Sequence, residues 1–310
     1  GMNDLLDLRP QVADALRQGR PVVALESTLV AHGLPWPRNL ETGRAAEAAV
    51  REAGAVPATI AVLAGRPTVG LDDAELERLA RSGGFRKASS RDLGVAVAQR
   101  LDAATTVSAT MRVAFLAGVR VFATGGIGGV HPAGGGPAFD VSADLTELAR
   151  TPVAVVCAGA KSILDLPATL EFLETQGVPV LGYQSDTFAA FYLRSSGLPV
   201  SARVDTPAGA AGCVQAHWGM GGGGVVIAQP LAETDALPEG YFHGLLHEAE
   251  GQARRAGVGG AALTPYLLCR LAELSGGRTL AANQALIVAN ARLAGRLAGE
   301  LASGAPCRAR

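Results

Sequence analysis

Short apolar runs alternate with helical segments along most of the chain, and this alternation limits the fold more than any other feature. The runs are rich in Val, Ile and Ala and end at small or polar residues, which is typical of buried strands. The pattern predicts an α/β fold, with a mainly parallel sheet flanked by helices in three α/β/α layers and a helical C-terminal region. Six runs are interpreted as strands: Pro21–Leu25, Ala58–Leu63, Val119–Ala123, Pro152–Gly159, Val178–Gly182 and Val225–Ala228.

Helix signals lie between these runs. Asp72 and Glu75 resemble a capping box, and Gly54 is a suitable helix stop. Thr105–Thr110 fits either a short strand or the cap of a helix that reaches about Leu116. The other predicted helices are 4–18, Asn39–Ala53 with Asn39 as its cap, Asp72–Arg81, Pro167–Gln176 and Leu280–Leu301.

The length of 310 residues suits one large α/β domain or two smaller ones. Because no internal repeat or clear linker interrupts the pattern, we predict a single domain over 1–310, with Gly1 before Met2 interpreted as a tag remnant. Apolar residues make up 48% of the chain and charged residues 18%, as expected for a globular protein. The net charge of −1, without a basic block, argues against a nucleic-acid partner.

No apolar run reaches the roughly 18 residues of a membrane span, so we expect no membrane partner. The N-terminal residues lack the charged and apolar regions of a signal peptide. The four cysteines lie far apart without a CxxC pair, which favours free thiols in a reducing compartment. These features predict a cytoplasmic protein.

Only two lysines occur among the 27 basic residues, Lys87 and Lys161. A lysine can lose its proton and act as a nucleophile, whereas an arginine stays protonated. Lys161 follows the run Pro152–Gly159, and ligands in parallel α/β sheets bind beyond the carboxyl ends of strands. From position alone, Lys161 is either a catalytic residue or a surface lysine that starts a helix. Lys87 lies in a loop of hydroxyls and arginines that suits a phosphate or carboxylate, but a solvated turn has the same composition.

Polar groups follow four predicted strands: Glu26, Thr124, Lys161 and Gln184. Because parallel strands end at one edge of a sheet, these groups are expected to converge there. Glu26 is a candidate general acid or base, although a loop or capping carboxylate is the alternative.

A glycine-rich loop follows the strand Val119–Ala123 and continues through His131 to three further polar residues, Asp140, Ser142 and Asp144. Its glycines allow backbone N–H groups to approach an anion, but their spacing is not that of a dinucleotide site. The two carboxylates suit a hard cation or sugar hydroxyls, unless Ser142 or Asp144 caps the following helix. Asn283 and Asn290, in the last helix, suit either a neighbouring backbone or a ligand.

Eight motifs occur in the same order as in the pseudouridine-5′-phosphate glycosidase family, which also includes indigoidine synthase A-like proteins. The resemblance covers about Pro21 to Ala302. The motifs are Ala24–Thr42, Gly54–Leu71, Lys87–Leu93, Thr105–Met111, Phe122–His131, Phe139–Leu145, Val156–Asp165 and Gly182–Tyr192.

The resemblance implies cleavage of the carbon–carbon glycosidic bond of pseudouridine 5′-phosphate to uracil and ribose 5-phosphate. It implies that Lys161 forms an imine with C1′ of the opened ribose and that Glu26 donates protons. It further implies a divalent metal, usually Mn²⁺, on Asp140, and a homotrimer. Substrate contacts are implied for Lys87, Val107, Ser142, Ala143 and Asp144, with less defined pocket roles for Thr124, His131 and Asn283.

One loop departs from the family. After the histidine the family has an HRGAE-like segment, whereas this chain reads HPAGGGPAFD over His131–Asp140, with one residue inserted. This change motivates a second hypothesis, a Schiff-base glycosidase that acts on another C- or N-riboside phosphate. A non-catalytic sugar-phosphate-binding protein is the third, and the presence of both Glu26 and Lys161 argues against it.

Overall fold

A computed structural model describes residues 5–132, 140–259 and 262–304 of the chain. The described strands are β1 Asp7–Leu8, β2 Val22–Leu25, β3 Val56–Leu63, β4 Arg66–Val69, β5 Arg86–Ala88, β6 Ala103–Thr105, β7 Val121–Ala123, β8 Ala154–Cys157, β9 Val180–Tyr183, β10 Ala202–Val204 and β11 Val225–Ala228. The described α-helices are α1 Pro10–Arg17, α2 Arg38–Glu52, α3 Asp73–Arg81, α4 Leu93–Ala98, α5 Val107–Ala117, α6 Ala143–Arg150, α7 Leu166–Thr175, α8 Pro207–Gly219, α9 Glu239–Arg255, α10 Leu263–Leu274 and α11 Arg278–Ser303.

These strands form one sheet, and its larger part is parallel. The order β3-β2-β7-β8-β11-β9-β10 is parallel at every step. The second half of β3, Ile60–Leu63, turns away from β2 and pairs antiparallel with β4 and β6. The predicted α/β fold is therefore confirmed, with a smaller mixed extension at one side.

Helices cover both faces of the sheet, as the apolar character of its strands requires. All four residues of β2, of β8 and of β11 are buried. The long helix α11 packs against α2 and α8 and crosses β2, β7 and β8, while α5 packs against α6, β2 and β3. The strands β2, β7 and β8 pair side by side in the middle of the sheet, and because they are parallel their carboxyl ends lie at one edge.

Several local predictions need correction. The first helix starts at Pro10 rather than residue 4, because Asp7 and Leu8 pair with β4. Asn39 does not cap α2: it lies inside the helix, and its side-chain amide donates to two backbone carbonyls, of Val30 at 2.8 Å and Ala80 at 2.9 Å.

Other signals are present as predicted. The capping box of Asp72 and Glu75 is complete at the start of α3. The sequence allowed Thr105–Thr110 to be either a strand or a helix cap, and the segment contains both. Strand β6 ends at Thr105, and Thr106 caps α5. Within the described ranges, no helix has the length and apolar composition needed to cross a bilayer. Gly1 and Cys307 lie outside the described residues.

Candidate active site

Glu26 lies immediately after β2, at the centre of the sheet edge. Its two carboxylate oxygens accept hydrogen bonds from the hydroxyls of Thr124 and Thr28, so it does not cap a helix. Burial raises the pKa of Glu26, and the negative charge of Asp144 acts in the same direction. The two hydroxyl hydrogen bonds and the charge of Lys161 oppose this rise in pKa. A carboxyl group with a raised pKa is suited to donate a proton near neutral pH.

Lys161 lies four residues beyond the end of β8 and is half-buried. It does not start a helix, because α7 begins at Leu166 with Asp165 as its cap. Gly159 makes the turn that leads to Lys161: its φ is +78°, and a Cβ there would lie 1.8 Å from the carbonyl oxygen of Ala189. The charge of Lys161 lowers the pKa of Glu26, so the two side chains lie on the same side of the sheet edge.

The two hydroxyl residues that follow Glu26 have different roles. Thr28 binds the Glu26 carboxylate, whereas Ser27 is fully buried and accepts a hydrogen bond from the backbone N–H of Thr105 at 2.8 Å. Ser27 thus joins the end of β2 to the residue before the Thr106 cap. This bond positions the start of α5 relative to Glu26.

Asp144 joins the start of α5 to the glycine-rich loop. Its carboxylate accepts the backbone N–H of Ser108 at 2.8 Å and that of Gly128 at 2.9 Å, and the residue is only 7% exposed. Val107 is the first residue of α5, next to this junction. Charged acceptors near a helix start are favourable because they satisfy N–H groups that have no partner within the helix.

Ser142 caps α6, which is one of the alternatives that the sequence left open for Ser142 and Asp144. Its hydroxyl accepts the N–H of Asp144 at 3.2 Å, and Ala143 is the first helical residue. A Cβ at Gly128 would lie 2.3 Å from the Ser142 hydroxyl oxygen, so only glycine allows the loop to approach this closely.

Two asparagines of α11 contact the opposite side of the glycine-rich loop. The side-chain amide of Asn290 donates to the carbonyl of Thr124 at 2.9 Å, so its partner is backbone. The side-chain oxygen of Asn283 is buried and has no hydrogen-bond partner among the described residues. A Cβ at Gly125 would lie 3.5 Å from that oxygen. Asn283 therefore presents an unused acceptor beside the strand end that carries Thr124.

His131 and Asp140 lie at the two ends of the loop whose residues 133–139 fall outside the described ranges. The backbone N–H of His131 donates to the carbonyl of Asp140 at 2.9 Å, and His131 Nδ1 lies 3.2 Å from a carboxylate oxygen of Asp140. The Asp140 side chain is 46% exposed. In the part of the chain that the structure describes, no group of three or more His, Cys, Asp or Glu side chains could hold a metal.

Lys87 lies on β5, one strand away from the start of α5. It pairs in register with Ala104 of β6, and its side chain is exposed. Two hydrogen bonds tie the segment after it to α5, from Thr106 N–H to the Ala88 carbonyl at 3.0 Å and from Ser90 N–H to the Ser108 hydroxyl at 3.1 Å. The segment that follows Lys87 is thus joined to the start of α5.

Three of the four strand-end groups are brought together, and Gln184 is not. Glu26, Thr124 and Lys161 follow the adjacent strands β2, β7 and β8. Gln184 follows β9, which β11 separates from β8, and its side chain donates to the carbonyl of Asp205 at 3.1 Å. The predicted convergence is therefore wrong for Gln184.

Comparisons with known proteins give a consistent result. The family model for indigoidine synthase A-like proteins matches residues 11–300. A pseudouridine-5′-phosphate glycosidase of Caldanaerobacter subterraneus subsp. tengcongensis is 53% identical over 301 residues, covering 97% of this chain and 98% of that protein.

Two solved structures are similar over nearly the whole chain. One is the prealnumycin C-glycosynthase in complex with ribulose 5-phosphate, with a TM-score of 0.89 and 43% identity, covering 96% of this chain and 97% of that one. The other is an indigoidine synthase A-like protein of Thermotoga maritima, with a TM-score of 0.86, 36% identity and the same coverage.

Proposed function

The chain belongs to the indigoidine synthase A-like family, and we propose that it is a glycosidase that cleaves pseudouridine 5′-phosphate into uracil and ribose 5-phosphate. The observation that carries the proposal is the placement of Glu26 and Lys161 at the ends of β2 and β8, where the lysine charge acts on a carboxyl whose pKa burial has raised. A proton donor and an amine nucleophile are the two groups that this chemistry needs.

The bond to be broken joins two carbon atoms, so there is no leaving heteroatom to protonate. In the proposed reaction the bond between C1′ and the ring oxygen breaks, and the oxygen takes a proton from Glu26. The neutral amine of Lys161 then forms a bond with C1′, and its nitrogen loses one proton to the Glu26 carboxylate. The bond from C1′ to uracil C5 breaks as the nitrogen lone pair forms the imine, and C5 takes a proton from Glu26. Water adds to the imine and releases ribose 5-phosphate and the amine.

Substrate binding is assigned to the groups around the starts of α5 and α6. Lys87 supplies positive charge for the phosphate, and the first turns that contain Val107 and Ala143 supply N–H groups and favourable dipoles. Asp144 and Ser142 hold these turns in place through the bonds described above.

The remaining pocket residues are assigned to the sugar and the base. Thr124 is already bonded to the Glu26 carboxylate, so we place it beside the reacting atoms. The unused acceptor of Asn283 suits a hydroxyl or N–H of the substrate. His131, which lies beside Asp140, is assigned to the same pocket.

A divalent cation fits Asp140 if water supplies most of its ligands. One half-exposed carboxylate is a typical hard ligand for Mn²⁺ or Mg²⁺, which retain several waters. When bound, the ion would neutralise charge on the phosphate. Titration of Mn²⁺ by electron paramagnetic resonance tests this assignment, because Asp140→Ala should weaken binding at least about tenfold relative to the wild type.

A second candidate function is glycoside chemistry on the same sugar phosphate with a different base. It is favoured by the similarity to a C-glycosynthase in complex with ribulose 5-phosphate and by the altered segment between His131 and Asp140. A homotrimer remains part of the proposal and rests on the family resemblance alone. The proposed cytoplasmic location rests on the separated cysteines, which favour free thiols in a reducing compartment.

The test is an assay of the purified protein with pseudouridine 5′-phosphate and Mn²⁺, in which uracil and ribose 5-phosphate are quantified by liquid chromatography. Equal amounts of the two products are expected. Folded protein that releases neither product would contradict the proposal, and turnover of another riboside phosphate would then support the second candidate.

A further inference from the structure

Two backbone hydrogen bonds hold the chain just before Lys161 against the glycine-rich loop. The N–H of Ala158 donates to the carbonyl of Gly125 at 2.8 Å. The N–H of Ile127 donates to the carbonyl of Gly159 at 3.0 Å. Because these bonds join main-chain groups, they fix the N-terminal side of Lys161 without help from any side chain.

On the C-terminal side of Lys161 the chain is held by a side chain. The hydroxyl of Ser162, which is half-buried, donates a hydrogen bond to the carbonyl of Ala190 and accepts one from the N–H of Tyr192 at 3.2 Å. These partners lie 28 and 30 residues further along the chain, and both belong to the turn 190–193. The contact therefore depends on one hydroxyl, which a substitution can remove.

The turn 190–193 is a well-fixed partner for Ser162. All four of its residues are buried, and Ala190 and Leu193 exchange two backbone hydrogen bonds of 3.1 Å. A buried turn that is closed by its own backbone bonds opens rarely, because opening exposes apolar surface. A bond to this turn thus gives the residue after Lys161 a defined position.

Phe191, inside the turn, has a backbone conformation that its side chain disfavours. Its φ is +61°, in the left-handed region that bulky residues rarely adopt. Its N–H donates to the carbonyl of Ala158 at 2.9 Å, and a Cβ at Gly126 would lie 2.7 Å from a carbon of its ring. Strained backbone persists only where the surrounding contacts determine it, and it clusters at functional sites. The strain is therefore maintained where the turn meets the glycine-rich loop and the chain that leads to Lys161.

We propose that Ser162 is a positioning residue that holds the Lys161 amine in place for attack on C1′. The proposal rests on the proposed function, in which the amine must meet C1′ at bonding distance and angle. Displacement of a reacting group by about 1 Å can cost about 10²-fold in rate. Ser162 acts through Lys161 and does not touch the substrate.

The test compares Ser162→Ala with Ser196→Ala. Ser196 is a matched control because its half-buried hydroxyl also makes two bonds, donating to the carbonyl of Phe188 at 2.7 Å and accepting the N–H of Leu198 at 3.2 Å. In Ser162→Ala we expect kcat for uracil release to fall about tenfold or more, with KM within about twofold because the phosphate contacts are unchanged. The rate of borohydride trapping with ribose 5-phosphate should fall by the same factor. Ser196→Ala should stay within about twofold of the wild type in all three quantities.

Two further measurements separate positioning from loss of structure. Ser162→Thr keeps the hydroxyl, and we expect its kcat to stay within about threefold of the wild type. Hydrogen exchange followed by mass spectrometry gives a readout without activity: the peptide that contains Tyr192 should exchange faster in Ser162→Ala, but not in Ser196→Ala.

The proposal is overturned if Ser162→Ala keeps the wild-type kcat and trapping rate, or if Ser196→Ala or Ser162→Thr loses as much activity as Ser162→Ala. Unchanged exchange of the Tyr192 peptide in Ser162→Ala would also overturn it. Folded wild-type protein that releases no uracil and traps no adduct would instead contradict the proposed function.

Discussion

The hydroxyl of Thr124 donates a hydrogen bond to the carboxylate of Glu26, although 98 residues separate them in the chain. The contact exists because β2 and β7 are adjacent parallel strands that end at the same edge. It stabilises the charged form of Glu26, whereas burial favours the neutral form. The proton affinity of the candidate acid is therefore set by opposing effects, and a substitution of Thr124 removes one of them.

Thr124→Val should move the alkaline limb of the pH–rate profile to higher pH. Glu26 acts as an acid only while protonated, so activity is present below its raised pKa and is lost as pH rises through it. Thr124→Val removes a hydrogen bond that stabilises the ionised form of Glu26, and this raises the pKa of Glu26 further. The profile of kcat/KM measures the shift. Thr124→Ser, which keeps the hydroxyl, is the control, and a limb that stays in place or moves down would contradict this account.

Glu26→Gln should lower kcat about 10²- to 10⁴-fold, because glutamine has a similar shape but cannot donate the proton. Steady-state release of uracil measures the loss. Glu52→Gln is a suitable control, since Glu52 is an exposed residue of α2 that pairs with Arg292. Equal activity in Glu26→Gln and the wild type would remove Glu26 from the mechanism.

Arg112→Ala should destabilise the protein by about 3 kcal/mol, because it leaves the Glu147 carboxylate buried without its charged partner. Glu147 is 3% exposed and receives two hydrogen bonds from Arg112, at 2.7 and 3.0 Å, which join α5 to α6. Urea unfolding monitored by circular dichroism measures the change. Arg292→Ala breaks an exposed pair and should cost only about 0–1 kcal/mol. Similar losses of unfolding free energy in both variants would show that burial of the Arg112–Glu147 pair does not affect stability.

Gly159→Ala should cost about 3 kcal/mol or more and should stop turnover, because Lys161 follows directly after this turn. A methyl group at Gly159 meets the Ala189 carbonyl oxygen at 1.8 Å, in addition to the strain of a positive φ. Gly177 has a similar φ of +69° with no atom within 4 Å of a Cβ, so Gly177→Ala should cost only about 1 kcal/mol. Thermal melting compares the two, and equal shifts would argue against the steric clash.

The sequence predicts the strands β2, β7 and β8 because each is a compact apolar run bounded by turn residues. Residues that follow parallel strands lie at the same edge of the sheet, and this rule predicts that Glu26, Thr124 and Lys161 lie together. The rule failed for Gln184 because strand order is a property of the tertiary fold, and β11 is inserted between β8 and β9. Local patterns carry no information about which strand becomes the neighbour of another.

Other features had no sequence signal. Helix α8 was not predicted, because Pro207–Gly219 is rich in Ala and Gly and lacks an amphipathic pattern. Asn39 has the residue type of a cap, yet tertiary contacts place it inside α2, where its amide joins two distant carbonyls. The contact of Thr59 with Glu47 likewise depends on how α2 lies against β3.

The central claim is that Lys161 forms an imine with the sugar phosphate, and mass spectrometry of the intact protein after ribose 5-phosphate and borohydride tests it most directly. The chain has only two lysines, which makes Lys87→Ala a matched control for Lys161→Ala when ribose 5-phosphate is saturating for both variants. We predict one reduced pentose-phosphate adduct in the wild type and in Lys87→Ala, and none in Lys161→Ala or in Lys161→Arg, whose guanidinium stays protonated. An adduct that persists without Lys161, or folded wild-type protein that forms none in the presence of Mn²⁺, would contradict the claim.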